Sequence, residues 1–436
     1  MILRVSKSDV VRHGALVFGG VATASVFNYL YYTLIARRAG VDTYGVVTAL
    51  TSAMVVVLTP GIIGQLIAAR LAADLEARHD NGALRALADL MTTWTMTIAA
   101  VVVAVGLLFR GAIASFFNLT DPVPVVMVTL ALGVYAVVLV QRGILQGAQR
   151  FGAYAASSSI DAIVKVLVGV PLVGVLGATG GLAGVAVGAL LALAYDLYIF
   201  RARFGTARAP ITLDRALILR VVSHVGLGQL TFTVLTFYDV PLIKHAFDAR
   251  SAGLYAAAAL VGRAVVAAVS FVPIVVMPMT AARTTAGRSP LPLLGAALGL
   301  AIPIVAIAVL AALVAPRFVV TLIAGKAFGE AAPLVLLYAI ASGGLSLANV
   351  VGAYKMGLHR YDFVIPCLIV AAIEISVIAL WHPTLGVVVE TLACGHVALF
   401  AATLFRVWAP NVRDPGQSNP IDLSRIEAGL PPTPGR

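Results

Sequence analysis

The sequence predicts an all-α, polytopic membrane protein of about twelve transmembrane helices in two six-helix lobes around a central cavity. Three observations carry that expectation. Of 436 residues, 61% are hydrophobic and 11% charged, where a soluble chain carries about 25% charged residues. Apolar stretches of about 20 residues, the length that crosses a bilayer as a helix, recur along the whole chain. Hydrophilic side chains recur at helical spacing inside several of those stretches. The mean hydropathy of +1.00 leaves no room for a sizeable aqueous domain.

The first span, 13–36, follows Arg4, Lys7 and Arg12. Ala22-Thr23-Ala24 faintly resembles a signal cleavage site, but the apolar run exceeds the roughly 7–15 residues of a signal core and reads as a retained span. Spans 43–69, 87–109, 122–146, 155–176 and 178–200 follow. The second half supplies 216–243, 253–281, 290–314, 331–357, 362–381 and 383–406. The runs are continuous, whereas barrel strands alternate over about 10 residues, so helices are expected. The basic stretch Arg201 to Arg220 separates an amino-terminal lobe, 1–208, from a carboxy-terminal lobe, 209–408. After Trp408, a Pro-, Gly- and polar-rich segment, 409–436, is expected to be a disordered cytoplasmic tail.

A net charge of +11 would suit a nucleic-acid partner if it were clustered. The basic residues instead stand singly between apolar runs, so no nucleic acid is expected. Topology accounts for them: of 30 Lys and Arg, one face of the span pattern collects most. The opposite face holds Arg37, Arg38, Arg110, Lys244, Arg250, Arg317 and Lys326, and Lys165 and Arg263 fall within spans. By the positive-inside rule both termini are cytoplasmic. Cys367 and Cys394 lie in apolar stretches without a C-x-x-C or Cys/His grouping, and read as small buried packing residues. No metal site is expected.

Charges at mid-membrane cost about 2.5–3.5 kcal/mol each on insertion scales and therefore point inward. The candidates are Asp161 and Lys165 in span five, Asp239 in span seven, Arg263 in span eight and Glu374 in span eleven, with Asp196 and Glu390 less central. Ser157, Asp161 and Lys165 recur every fourth residue, giving span five a hydrophilic stripe. Gln229, Thr233, Thr236 and Asp239 do so in span seven, Ser25, Asn28 and Tyr32 in span one, and Ser342, Ser346 and Asn349 in span ten. These faces suggest a wet cavity between the lobes. Asp161 with Lys165 and Asp239 with Arg263 are candidate ion pairs, and His224 and His396 have no partner evident in sequence. Gly180, Gly184 and Gly188 have the small-residue spacing of close helix packing. A faint repeat links the halves: Leu34-Ile35, Gly40 and Tyr44-Gly45 resemble Leu242-Ile243, Gly253 and Tyr255, with Pro60 and Pro273 following.

The segment Phe27-Asn28-Tyr29-Leu30-Tyr31-Tyr32-Thr33-Leu34-Ile35-Ala36-Arg37-Arg38-Ala39-Gly40, followed by Tyr44-Gly45, resembles the first-span signature of the Wzx-like polysaccharide transporters. These form a branch of the multidrug/oligosaccharidyl-lipid/polysaccharide exporter superfamily. Gln146-Gly147-Ala148-Gln149-Arg150-Phe151 is similar to that family's loop after span four, and Asp239 with Ala252-Gly253-Leu254-Tyr255 to its span seven to eight region. The resemblance implies an inner-membrane flippase that translocates a polyprenyl-pyrophosphate-linked oligosaccharide by alternating access. It also implies membrane lipids, a polysaccharide polymerase or glycosyltransferases as partners. On that reading Arg263 and Lys165 attract the anionic headgroup, and Asn28, Tyr32, Gln229 and Asn349 offer hydrogen bonds to sugars. Asp239, Glu374 or Asp161 would take a proton or sodium ion, with no other cofactor. The rival expectations are a multidrug or metabolite exporter of the same superfamily and, against the absence of a catalytic motif, a membrane-embedded glycan-transfer enzyme.

Overall fold

The computed structural model describes residues 7–203, 226–405 and 407. The expected lobe boundary, most of the Arg201 to Arg220 stretch, His224, the start of the span at 216–243 and the tail 409–436 lie outside the described residues. The amino-terminal lobe contains α1 (Lys7–Ala39), α2 (Val41–Val57), α3 (Thr59–Ala77), α4 (Asn81–Leu108), α5 (Arg110–Phe116), α6 (Val123–Gly147) and α7 (Phe151–Arg203). The carboxy-terminal lobe contains α8 (Leu227–Phe237), α9 (Asp239–Ala246), α10 (Ala249–Val269), α11 (Phe271–Thr285), α12 (Leu291–Val314) and α13 (Pro316–Ala324). A 3-10 turn, Lys326–Ala331, then leads to α14 (Ala332–Gly357), α15 (Val364–Leu380) and α16 (Leu385–Thr403).

Local chemistry sets the helix ends. Asp80 accepts from the Ala83 amide at 2.8 Å to start α4, and Asp248 accepts from the Arg250 and Ser251 amides to start α10, each satisfying donors the first turn leaves free. Pro60 cannot donate to the Val56 carbonyl and its ring crowds it, so α2 and α3 meet at a 47° bend. Pro273 stands in the same relation to Val269, where α10 gives way to α11.

At 53 residues, α7 would run roughly 80 Å if straight, more than twice the hydrocarbon thickness of about 30 Å. It is not straight. Gly177 takes φ 57, ψ −139, a region open essentially to glycine, and the chain folds back on itself there. The two arms are so close that a Cβ on Gly184 would lie 2.4 Å from the Gly169 Cα, and one on Gly188 2.7 Å from the Asp161 carbonyl oxygen. The division expected between 155–176 and 178–200 is thus a tight hairpin, and the glycine stripe packs its arms.

Among the described residues, seven helices are long and apolar enough to cross a membrane, or eight when α2 and α3 are taken as one bent span. The expected twelve is not reached by that count, in part because α7 contains two expected spans and α15, at 17 residues, is short. Large apolar side chains such as Leu108, Val175, Ile274, Val314 and Leu380 stand on the outside, as suits a surface bathed in acyl chains.

In the amino-terminal lobe α6 and α7 form the centre, against which α1, α3 and α4 pack. In the other, α14 is central, flanked by α10, α11, α12 and α16. The lobes meet where α2 packs on α10, with α1 against α13. At this seam a Cβ on Gly45 would lie 2.9 Å from the Gly253 amide nitrogen, and one on Gly253 only 2.1 Å from the Val41 carbonyl oxygen. The two faint sequence repeats are therefore the segments that touch across the seam. Tyr44 is buried against Phe328, ring centroids 5.4 Å apart, and Tyr255 against Tyr338 at 5.5 Å.

Candidate functional site

Hydrophilic residues of the membrane region collect in three groups. The first joins the two lobes. Lys165 on α7 is buried, donates to the Asn28 side-chain oxygen on α1, and lies 5.3 Å from the centre of the Tyr31 ring. Tyr31 donates to the Gly181 carbonyl at 2.9 Å and meets Tyr32 edge-on at 5.2 Å. From the other lobe, the Arg263 guanidinium donates to Ser52 Oγ on α2 at 3.0 Å and stacks over Phe237 at 4.7 Å. Its Nε has no hydrogen-bond partner among the described residues. Ser52 on α2 is thus the point at which this group crosses from one lobe to the other. Arg263 also lines a narrow crevice of about 10 Å³ with Thr236, Tyr338, Ser342 and His396.

Neither Lys165 nor Arg263 has a carboxylate within ion-pair distance among the described residues. Both pairings suggested by sequence are replaced by others. Lys165 leans on Asn28 and Tyr31, and Arg263 on Ser52 and Phe237, so among the described residues their positive charges are met by neutral groups. The remaining expected sugar ligands do not join them: Gln229 is exposed on α8 and, among the described residues, donates to Thr233 of its own helix at 3.5 Å, and Asn349 is half-buried on α14.

The second group is inside the amino-terminal lobe. Asp161 accepts from the Tyr135 hydroxyl at 2.5 Å and faces Arg142 Nη2 at 3.5 Å. Arg142 also donates to Ser157 Oγ and to the Ser157 carbonyl, both at 3.0 Å, and Ser157 Oγ donates to Asp196 at 3.0 Å. Asp161 thus faces the buried guanidinium directly, and Asp196 is linked to it through Ser157. Arg142, expected among the loop cations, is a core residue, because only a fork of several donors can serve three acceptors at once.

The third is inside the carboxy-terminal lobe. Asp239, 1% exposed, accepts from Tyr255 at 2.8 Å and from Tyr338. Glu374, fully buried, accepts from Tyr238 at 2.6 Å, and its Oε1 faces His396 Nε2 at 3.4 Å. His396 Nδ1 contacts the Ala341 carbonyl at 3.0 Å. One oxygen of each carboxylate, Asp239 Oδ1 and Glu374 Oε1, has no hydrogen bond among the described residues, and such atoms are costly unless something else occupies them. His396, unpartnered in sequence, thus acquires Glu374 from a neighbouring span. Glu390 is exposed on α16, and Cys394, expected to be buried, is exposed while Cys367 is buried.

The sequence missed Arg142, His396 and the tyrosines that hold the acids. Tyr135, Tyr238, Tyr255 and Tyr338 count as apolar in a hydropathy reading, and their donor hydroxyls become visible only when a carboxylate is placed beside them.

The family model described as "Polysaccharide biosynthesis protein" matches residues 11–282. No curated protein matches the sequence. Among solved structures, the fold is similar to an inward-facing multidrug resistance MATE family transporter of the MOP superfamily, at TM-score 0.74 and 11% identity, covering 87% of this chain and 92% of that one. It is also similar to the lipid II flippase MurJ in an inward closed conformation, at TM-score 0.68 and 11% identity over 90% and 87%. A MOP superfamily transporter from Pyrococcus furiosus matches at TM-score 0.55 and 14% identity over 90% and 93%.

Proposed function

Because the chain belongs to the polysaccharide biosynthesis protein family, we propose that it is a flippase moving a polyprenyl-pyrophosphate-linked oligosaccharide between the leaflets of the inner membrane. The observation that carries this reading is the pair of intramembrane cations, Lys165 and Arg263, one from each lobe and both without a carboxylate partner among the described residues. A cation kept in low dielectric with only neutral neighbours is poised for an anion. A pyrophosphate headgroup supplies one, and its polyprenyl tail need never leave the hydrocarbon. Asn28 beside Lys165, and Tyr32 against the Tyr31 ring, would be the hydrogen-bonding groups for the first sugar. Gln229 and Asn349 would serve the glycan only after a rearrangement of the lobes.

The conformational cycle is alternating access: one lobe rocks against the other about the α2–α10 seam. Coupling to a proton or sodium ion falls to the buried acids, Asp239 and Glu374 in one lobe and Asp161 in the other, since neutralising a buried carboxylate changes which donors it holds. Both termini would be cytoplasmic.

The test is reconstitution of the full chain with a labelled polyprenyl-pyrophosphate glycan and measurement of its exchange between leaflets. Lys165→Gln and Arg263→Gln should each lower exchange at least 10-fold while leaving the protein folded. Full exchange by both variants refutes the role of the cations. Efflux of an organic cation without glycan exchange would assign the chain as an exporter, and a chemically altered glycan would assign it as an enzyme.

A further inference from the structure

On the face where α1 ends, α1 and α13 bound a second cavity at the lobe seam, of about 450 Å³, lined among others by Arg37, Gly40, Phe318, Leu322, Gly325 and Lys326. Gly40 and Gly325 have φ of 78° and 107°, so no side chain fills the floor there. Arg37 and Lys326 are both exposed. Arg37 spends one of its five donors on the Leu322 carbonyl. Among the described residues neither cation has a carboxylate within ion-pair distance, and Glu330, on the same turn as Lys326, is engaged by Arg250 at 2.8 Å. Arg317 lies along the same turn, its Nε 3.2 Å from where a Cβ on Gly329 would stand.

The apolar wall is equally specific. Phe318 and Leu322, one turn apart on α13, are 64% and 57% exposed. Charge and apolar surface are therefore laid end to end, as they are in a phospholipid. Arg37 and Lys326 also belong to the minority of cations that the span pattern puts on the face opposite the arginine-rich one. Orientation rules disfavour cations there, so the meeting of these two at one cavity calls for another reason.

We propose that this cavity binds an anionic membrane phospholipid, its phosphate between the Arg37 guanidinium and the Lys326 ammonium and an acyl chain along Phe318 and Leu322. A free phosphate has the same headgroup chemistry but no use for the apolar wall. Arg37 belongs to the amino-terminal lobe and Lys326 to the other, so the bound lipid ties the lobes together on this face. The site does not depend on what the central cations carry.

The test is native mass spectrometry of the full-length protein titrated with phosphatidylglycerol, and with phosphatidylcholine of the same chains. The wild type should retain phosphatidylglycerol at least 10-fold more tightly than phosphatidylcholine. The double variant Arg37→Gln/Lys326→Gln should lose roughly 30-fold in phosphatidylglycerol affinity, the loss expected for two cations at an anionic lipid. Arg110→Gln, on the same face, should lose none. If the double variant fails to fold, Lys326→Gln alone carries the test, with an expected loss of roughly 5-fold. Unchanged affinity in a folded variant, or equal retention of phosphatidylcholine, overturns the proposal. Displacement of the lipid by millimolar inorganic phosphate overturns it too, and reassigns the cavity to a free anion.

Discussion

Gly253→Ala should prise the lobes apart at the α2–α10 seam. The new Cβ would lie 2.1 Å from the Val41 carbonyl oxygen and 2.7 Å from its carbonyl carbon. Both are main-chain atoms, so no side chain can rotate away. A carbon needs about 3.3 Å to a carbonyl oxygen, so the helices must separate by roughly 1 Å. Overpacking of this kind costs about 1–3 kcal/mol. If the cost falls on the closed seam alone, the ratio of closed to open seam changes about 5- to 150-fold. A reporter is at hand in Thr48→Cys, one turn along α2 from Tyr44 and 1% exposed, in a chain whose Cys367 and Cys394 are replaced by alanine. Its labelling by a membrane-impermeant maleimide should be slow in the parent and at least 5-fold faster with Gly253→Ala. Gly295→Ala, whose Cβ meets nothing within 4 Å, should leave the rate alone. Unchanged labelling in a folded Gly253→Ala protein would refute the reasoning.

Arg142→Ala should lower stability by about 3–5 kcal/mol, read as a fall in melting temperature in detergent, because Asp161 is left buried without its cation and the Ser157 link to Asp196 loses its anchor. Arg142→Lys should recover little of that, since an ammonium cannot fork to Ser157 and Asp161 together. His396→Ala should cost about 3 kcal/mol by the same measure, and Glu374→Gln less, about 1–2 kcal/mol, because the amide oxygen still accepts from Tyr238. Asp248→Ala should fray the start of α10 by about 1 kcal/mol, visible as faster hydrogen exchange at Arg250 and Ser251. Hydrogen bonding to Ser251 holds the Asp248 carboxyl below the usual carboxylate range. The contribution of this cap is therefore complete above the ordinary Asp value of about 3.9 and is lost as pH falls through the lower folded value.

Periodicity found the helices and much of the polar interior, but it assigned partners poorly, and span five shows why. Residues four apart on a helix are offset by about 40°, so Ser157 and Lys165 differ by about 80°. One stripe in the sequence therefore serves two destinations: Ser157 and Asp161 turn toward Arg142, and Lys165 turns toward Asn28. Asp239 and Arg263 are opposite charges on nearby spans, yet Tyr255 and Tyr338 take the carboxylate. A phenol hydroxyl offers a donor at little desolvation cost, whereas a guanidinium must be stripped of water first. Arg142 escaped because an arginine close to a span end is ordinarily a loop residue. Only the packing of α6 on α7 draws it inward. The glycine stripe of span six was legible because its signal is local: absence of a side chain at every fourth residue means close approach whichever helix arrives.

The single glycine between the arms of α7 also constrains biogenesis. With one residue as the connection, no hydrophilic loop is available to be held in water while the first arm waits for the second. The arms must enter the membrane as one hairpin, and doing so lets the main chain of the second arm cover Asp161 at Gly188 from the outset. A side chain at 177 would oppose that reversal during synthesis, before any question of transport arises, and its signature would be failed insertion at the ribosome-bound stage.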